Sequence, residues 1–293
     1  MTTQIVIPER SKRPAWKAYF SGTSPLFFGV HLMALVGAIF TPYRTGLVWW
    51  MLGSYALRMF AVTGGYHRYF SHRAYKLNRF WAFCMGFLAE TSAQKGILWW
   101  AANHRHHHRY SDQEEDIHSP WWTTIYHSHV GWILCDDYDQ YDPRLIADFY
   151  KYPELRWLQK YHVLPTVVYA VGMFLIGGWP LLLWGYFLST VLLWHGTFTI
   201  NSFSHLIGTR RWETTDQSRN NWFLAIVTMG EGWHNNHHYC MSSARQGYKW
   251  WEYDITWMIL KLLSLVGIVK DMKVFREDMN AHAEARVPLE RAA

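Results

Sequence analysis

Residues 161–209 read YHVLPTVVYAVGMFLIGGWPLLLWGYFLSTVLLWHGTFTINSFSHLIGT, without a single Asp, Glu, Lys or Arg. Crossing the hydrocarbon core of a bilayer takes about 20 mostly apolar residues. The stretch is therefore too long for one crossing and long enough for two. Gly177-Gly178-Trp179-Pro180 falls near its middle, and paired glycines followed by a proline favour a tight turn. A membrane hairpin over 161–205 is the expectation. Towards the N-terminus, Leu47 to Tyr66 is apolar but for Arg58, and Pro25 to Tyr43 carries no charge. With Arg44-Thr45-Gly46 as the turn between them, a first hairpin occupies 25–66. Four crossings result.

Composition agrees. Half of the 293 residues are hydrophobic, 18% are aromatic and 17% are charged, against about 25% charged in an ordinary soluble domain. The 19 Trp and 18 Tyr suit the membrane–water interface, where amphipathic rings collect. Disorder and collagen-like or low-complexity architectures are excluded. A mean hydropathy near zero requires that much of the chain lie outside the bilayer. The net charge of +6 comes without a basic stripe interleaved with stacking aromatics, so nucleic acid is not an expected partner. Cys84, Cys135 and Cys240 are scattered and expected to be reduced thiols.

Loop charge sets the sidedness. Arg44 is the only basic residue between the first two crossings, and the 177–180 turn has none. The N-terminal segment 1–24, with Arg10, Lys12, Arg13 and Lys17 but no signal-peptide core, is expected on the same side as 67–160 and 206–293. By the positive-inside rule that side is cytoplasmic. The fold expected is thus an all-α integral membrane protein, four transmembrane helices under a cytoplasmic helical cap whose two parts are 67–160 and 206–293. Phe80 to Leu88 is too short to span and is expected on the membrane surface or packed over the site. Arg58, a charge inside a crossing, is expected in an interior ion pair or snorkelling rather than in catalysis.

Histidine supplies the chemistry. His67 and His72 form an H-x4-H at the end of the second crossing, and His104, His107 and His108 an H-x2-H-H in the large loop. Asn201 and His205 end the fourth crossing, and His234, His237 and His238 form a second H-x2-H-H. Residues three and four apart share a helix face, so each H-x2-H-H is expected to present three imidazoles to one point. His67 and His72, five apart, need a helix end or a local distortion to converge. The loop-charge argument independently puts all four groups at one membrane face. Imidazole suits iron, zinc, copper and nickel, and this many ligands exceeds what one ion uses, so two metals are expected. His106 falls on the far side of its helix, and His31, His127, His162 and His282 have no partner motif; structural roles are expected for them. His118, His129 and His195 lie near enough to orient ligands. Glu115–His118 and Glu231–His234 match the Glu-x-x-His of carboxylate di-iron bundles, but the third and fourth crossings hold no carboxylate to complete such a site.

The combination of Gly65-Tyr66-His67-Arg-Tyr-Phe-Ser-His72, Asn103-His-Arg-His-His-His108, Ser128-His-Val-Gly-Trp132, Asn201-Ser-Phe-Ser-His205 and Glu231-Gly-Trp-His-Asn-Asn-His-His238 resembles the membrane fatty acid desaturases of the stearoyl-CoA Δ9 type. The resemblance runs from about Pro25 to Lys273. It implies two iron ions held by His67, His72, His104, His107, His108, His205, His234, His237 and His238, with Asn201 reaching one iron through water. It further implies a kinked acyl tunnel in which Gln94, Trp100 and Thr197 contact the substrate. Animal acyl-CoA enzymes of this type carry an Arg-Asp pair just before the second histidine group, where this chain has Ala102-Asn103. Acyl-CoA, acyl-carrier protein and phospholipid therefore all stay open as the form of the fatty acyl substrate.

The activity implied is O2-dependent insertion of a cis double bond, at Δ9, into a saturated acyl chain. With no cytochrome b5-like segment in the sequence, electrons are expected from an external ferredoxin- or cytochrome b5-type donor. A bacterial inner membrane, with the site facing the cytoplasm, fits the short chain. The nearest rival is a membrane di-iron lipid or alkane hydroxylase, against which the four-residue spacing of the first group speaks. A zinc lipid hydrolase would leave half of the histidines unused. A metal transporter should place its ligands near the bilayer midplane.

Overall fold

The computed structural model describes residues 19–20, 22 and 24–275. The basic N-terminal segment and His282 lie outside the described residues. Among those described, every named element is helical, and only isolated bridges, such as Lys76 with Lys270 and Thr209 with Asn220, pair backbone in the extended form.

Two apolar helices come first, α1 (Ser24–Phe40) and α2 (Thr45–Phe60). The second continues without a break into a π-helical segment, Ala61–Ser71. In the cap, α3 (Arg79–Glu90) starts at Asn78, whose side chain accepts from Trp81 N at 2.9 Å, and α4 (Ile97–Tyr110) follows. The short α5 (Trp132–Leu134) and α6 (Ala147–Tyr150) lead to α7 (Pro153–Lys160). Then come α8 (Val163–Leu181), a π-helical segment Leu182–Leu188 and α9 (Ser189–Ser202). Finally, α10 (Trp222–Val227), α11 (His234–Tyr239) and α12 (Ile255–Leu265) complete the cap.

The charge-free stretch behaves as its glycines foretell. Gly177 (φ −143°, ψ 18°) and Gly178 (φ 62°, ψ −156°) leave helical geometry, and the left-handed φ of Gly178 is one that side chains rarely tolerate. Segment 182–188 then packs back against α8, and also against α1 and α2. By length and composition, the run Val163–His205 is the one helical stretch among the described residues suited to crossing a membrane, while Ser24–Phe40 is apolar but shorter. The outer faces of these helices are bare hydrocarbon. Leu32, Leu35 and Ile39 of α1 and Val167, Val171 and Leu175 of α8 are all exposed, far more apolar surface than a water-facing protein leaves uncovered.

Arg58 corrects an expectation. It is fully buried, and no carboxylate meets it among the described residues. Its guanidinium donates instead to Thr190 Oγ1 at 2.6 Å, to Ser189 Oγ and to the carbonyls of Ser54 and Thr91. The Tyr169 and Tyr186 rings lie 5.1 and 5.5 Å from it. α2, α8 and α9 hold no Asp or Glu, so hydroxyls, carbonyls and ring faces do the work of a counter-ion.

The start of α4 shows how the cap positions chemistry. A helix leaves its first N–H groups without partners. Here Glu90 Oε1 accepts from Ile97 N at 3.1 Å, and Gln159 Oε1 accepts from Leu98 N and Trp99 N, both at 2.9 Å. Gly96 leaves the room that the Gln159 amide occupies. One helix end is thereby fixed from α3 and α7 together. The free cysteines are as expected.

Candidate metal centre

The first pair of histidines converges through backbone geometry. The segment Ala61–Ser71 is π-helical, and His72 N donates to His67 O at 3.2 Å. That i→i+5 bond brings residues five apart onto one side, and single π turns recur at functional sites. The His67 and His72 ring centroids are 4.7 Å apart. This is the local distortion that the spacing requires.

The two H-x2-H-H groups depart from expectation. Neither aims three imidazoles at one point. His67, His72, His104, His108 and His237 gather in one group, and His107, His205, His234 and His238 in another. Within each group, the candidate ligand atoms lie within 4.8 Å of one another. The reason is helical phase. Residues four apart differ by about 40° around a helix of 3.6 residues per turn, while adjacent residues differ by about 100°. His104 and His108 therefore stay together and His107 turns away. On α11, His234 and His238 stay together and His237 turns away. Each helix gives a pair to one group and a single ring to the other.

Inside the groups the Nε2 atoms nearly touch. His67 and His237 are 3.0 Å apart, His72 and His104 2.9 Å, His104 and His108 2.9 Å, and His205 and His234 3.0 Å. Ligands at right angles around an ion with bonds of ~2.1 Å would sit ~3.0 Å apart. Carboxylates decide which nitrogen carries the proton. Nδ1 of His67 meets Glu231 at 2.6 Å, His107 meets Asp116 at 2.9 Å, and His205 and His238 meet Asp112 and Asp216 at 2.7 Å. With Nδ1–H donated outward, each Nε2 lone pair faces its group. His238 Nε2 is buried without a hydrogen-bond partner. Facing lone pairs repel unless a cation lies between them, so the donor set fits a transition metal in each group.

Electrostatics supports that state. Burial and neighbouring imidazoles hold His234 and His237 well below the usual histidine range, neutral as metal ligands must be. Burial alone would raise Asp116, but His107 and His118 beside it keep its carboxyl far below the usual range. Glu231, also buried, is brought down to about 2 by His67 and Arg68. Arg68 donates to Glu231 at 2.9 Å and to Asp254 at 3.0 Å, so His67, its carboxylate and the start of α12 form one buried network.

A cavity of about 40 Å³ lies where the groups meet the helices, its walls including Met59, Val62, Trp100, Thr197, Asn201 and His107. Trp100 stacks on His104 with centroids 4.9 Å apart. Gln94 stands behind, donating to Thr197 Oγ1 at 3.2 Å. His106 points away, to the carbonyl of Glu115 at 2.9 Å. The His118 ring lies tilted against that of His107, with centroids 4.3 Å apart. His129 and His195 join His31 in a separate hydrogen-bonded line, at 3.0 and 3.1 Å. Asp112, Asp116 and Asp216 escaped the sequence reading. Asp112 and Asp116 follow the second histidine group closely in a chain poor in charge, which is a usable signal. Asp216 offers none.

The profile of fatty acid desaturases matches residues 45–263. This chain belongs to that family. It is 36% identical over 282 residues to the sn-1 stearoyl-lipid 9-desaturase of Synechocystis, covering 92% of this chain and 84% of the relative. The sn-2 palmitoyl-lipid 9-desaturase of Nostoc is 35% identical over 280 residues, 90% of this chain and 93% of its own. An acyl-CoA 5-desaturase of Anemone leveillei is 33% identical over 286 residues, 93% and 87% of the two chains. Family membership makes the protein an oxidoreductase of lipid metabolism.

Proposed function

We propose that this protein is an O2-dependent fatty acyl desaturase that places a cis double bond at Δ9 of a saturated chain. The convergence of nine histidines into two adjoining groups carries the reading. The names of the Synechocystis and Nostoc relatives point to the 9 position and to lipid-linked substrates. His67, His72, His104, His108 and His237 would hold one iron, and His107, His205, His234 and His238 the other, with Asn201 in the adjoining wall reaching it through water. Iron held by these residues would supply the O2 activation needed to take hydrogen from unactivated methylenes.

The chain's own residues do the positioning. An alkyl chain offers no polar handle at the carbons that react, so rate depends on holding two adjacent methylenes beside the metals. Trp100 and Thr197 wall the cavity there, and Gln94 fixes Thr197. A bend at this wall would select a cis product and set the distance counted from the carboxyl end. Glu231, Asp112, Asp116 and Asp216 hold the Nδ1 protons and keep the imidazoles aimed.

The same reading makes the chain a four-span protein with the metals on the cytoplasmic side of a bacterial inner membrane. The run of 43 residues from Val163 would extend ~65 Å as one helix, about twice the hydrocarbon core, and it breaks at Gly177 and Gly178. Exposed apolar faces on α1 and α8 suit lipid.

The test is a mass-spectrometric fatty-acid profile of host cells expressing the chain, beside a His107→Ala control. A new cis-Δ9 monounsaturated acid, absent from the control, is expected. Hydroxy acids in its place would turn the reading to a hydroxylase.

A further inference from the structure

The two histidine groups meet the surface differently. His107, His205, His234 and His238 are all buried, whereas His72, His104 and His108 are partly exposed. Beside His72 the cap opens into a cleft of about 490 Å³ whose walls carry five Lys or Arg against three Asp or Glu. Arg79 is spent on Glu154, Lys76 on Asp271 and Arg73 on Asp148. Lys151, over the Tyr152 ring at 5.1 Å, and Lys273 remain as surplus positive charge among the described residues.

The cleft is joined to the metal group by covalent structure. Arg73 of its wall is bonded to His72, and Arg73 N donates to the carbonyl of Tyr69, another wall residue, at 3.0 Å. Arg105 clamps the joint from beneath, donating to Ser71 O at 2.8 Å and to Asp148 at 2.8 Å. No described residue lines both the cleft and the cavity beside the metals. The cleft and that cavity are thus lined by separate sets of residues.

We propose that this cleft is the docking face for an acidic one-electron carrier protein, and that electrons enter through the five-histidine group. The inference rests on the desaturase reading, which needs an external reductant. Reducing O2 to two waters takes four electrons and four protons. The acyl chain gives two of each as its two C–H bonds break and the C=C bond forms. The carrier gives the other two electrons in two encounters, being oxidised by one each time, and water supplies two protons. Surface charge of opposite sign speeds and orients such encounters.

The probe is an acidic plant-type ferredoxin, measured for binding to the full-length protein in lipid nanodiscs and then for turnover. Binding is expected to weaken about tenfold or more in Lys151→Glu/Lys273→Glu, and to weaken in the unaltered protein as salt rises. The milder Lys151→Ala/Lys273→Ala pair, lying outside the histidine network, should show the same direction. In turnover, KM for ferredoxin should rise while product formed with dithionite stays unchanged. Unaltered ferredoxin affinity, binding insensitive to salt, or a shift in KM for the acyl substrate instead would each overturn the proposal. Ferredoxin bound at the cleft without any desaturated product from either reductant would leave the docking face standing and sink the desaturase reading.

Discussion

The two histidine groups use the same donor atom but are held differently. In the four-membered group, three of the rings lean on aspartates, Asp112, Asp116 and Asp216, and every ring is buried. In the five-membered group, among the described residues, only His67 has a carboxylate, Glu231, and the Nδ1 atoms of His108 and His237, like that of His234 in the other group, have no hydrogen-bond partner. A ring braced by a carboxylate keeps its tautomer and orientation and is a more basic ligand. The buried group is built to hold still, with few ligands firmly fixed. The other gains a fifth ring instead of braces and keeps an edge near solvent.

The sharpest way to break this comparison is His107→Ala, which removes a ligand of the buried group. Activity should fall by at least about 10³-fold, and iron measured by plasma mass spectrometry should drop from two towards one per chain. Loss of both ions, or of neither, would erase the division into two groups. Bracing comes next. Asp216→Asn and Asp112→Asn should weaken one metal by roughly 10–100-fold in a chelator competition, with Glu231→Gln weakening the other. Identical losses for both kinds of variant would show that the groups are not separately supported.

Acid should act on the rings before the braces. His234 and His237 have folded pKa values depressed by burial. As pH falls below the ordinary histidine value of about 6.5, the unfolded chain binds protons that the folded one refuses, so stability declines. The depressed carboxylates act in the same direction but at lower pH. Asp116 and Glu231 contribute stability above the ordinary carboxylate range, and it is lost only as pH drops towards their low folded values. Thermal midpoints of the chelated protein should therefore fall steadily from pH 7 to pH 5; a flat profile would contradict the neutral-ring assignment. The smallest effect is expected from Thr197→Val, which removes the Gln94 hydrogen bond at a cost of about 0.5–1.5 kcal/mol. Iron content should hold while the position or proportion of the double bond shifts in the product profile.

Much of this was readable in the chain because charge and spacing leave few alternatives. An uncharged run with Gly177-Gly178 at its centre has to turn there, and it does. Nine histidines in four short motifs have to meet, and they do. The sharing of rings between groups was not readable in the same way. Helical phase separates His107 from His104 and His108, and His237 from His234 and His238, but which group each pair and each single ring joins is a tertiary fact. The aspartates were hidden for a related reason. Asp216 is 22 positions from His238, and nothing local marks so distant a pairing. Arg58 misled because a lone cation suggests an acid, whereas its partners are hydroxyls and carbonyls from α2, α9 and the start of the cap.

Arg58 also has a consequence for how the chain is made. Its bonds to Tyr186, Ser189 and Thr190 join residues separated by 128 to 132 positions. At about 5–20 residues per second, the ribosome needs roughly 6 to 26 seconds to deliver those partners. Until they arrive, the guanidinium has the carbonyls of Ser54 and Thr91 to donate to but none of these later partners. The contacts around Arg58 therefore close only once Ser189 and Thr190 of α9 have been made.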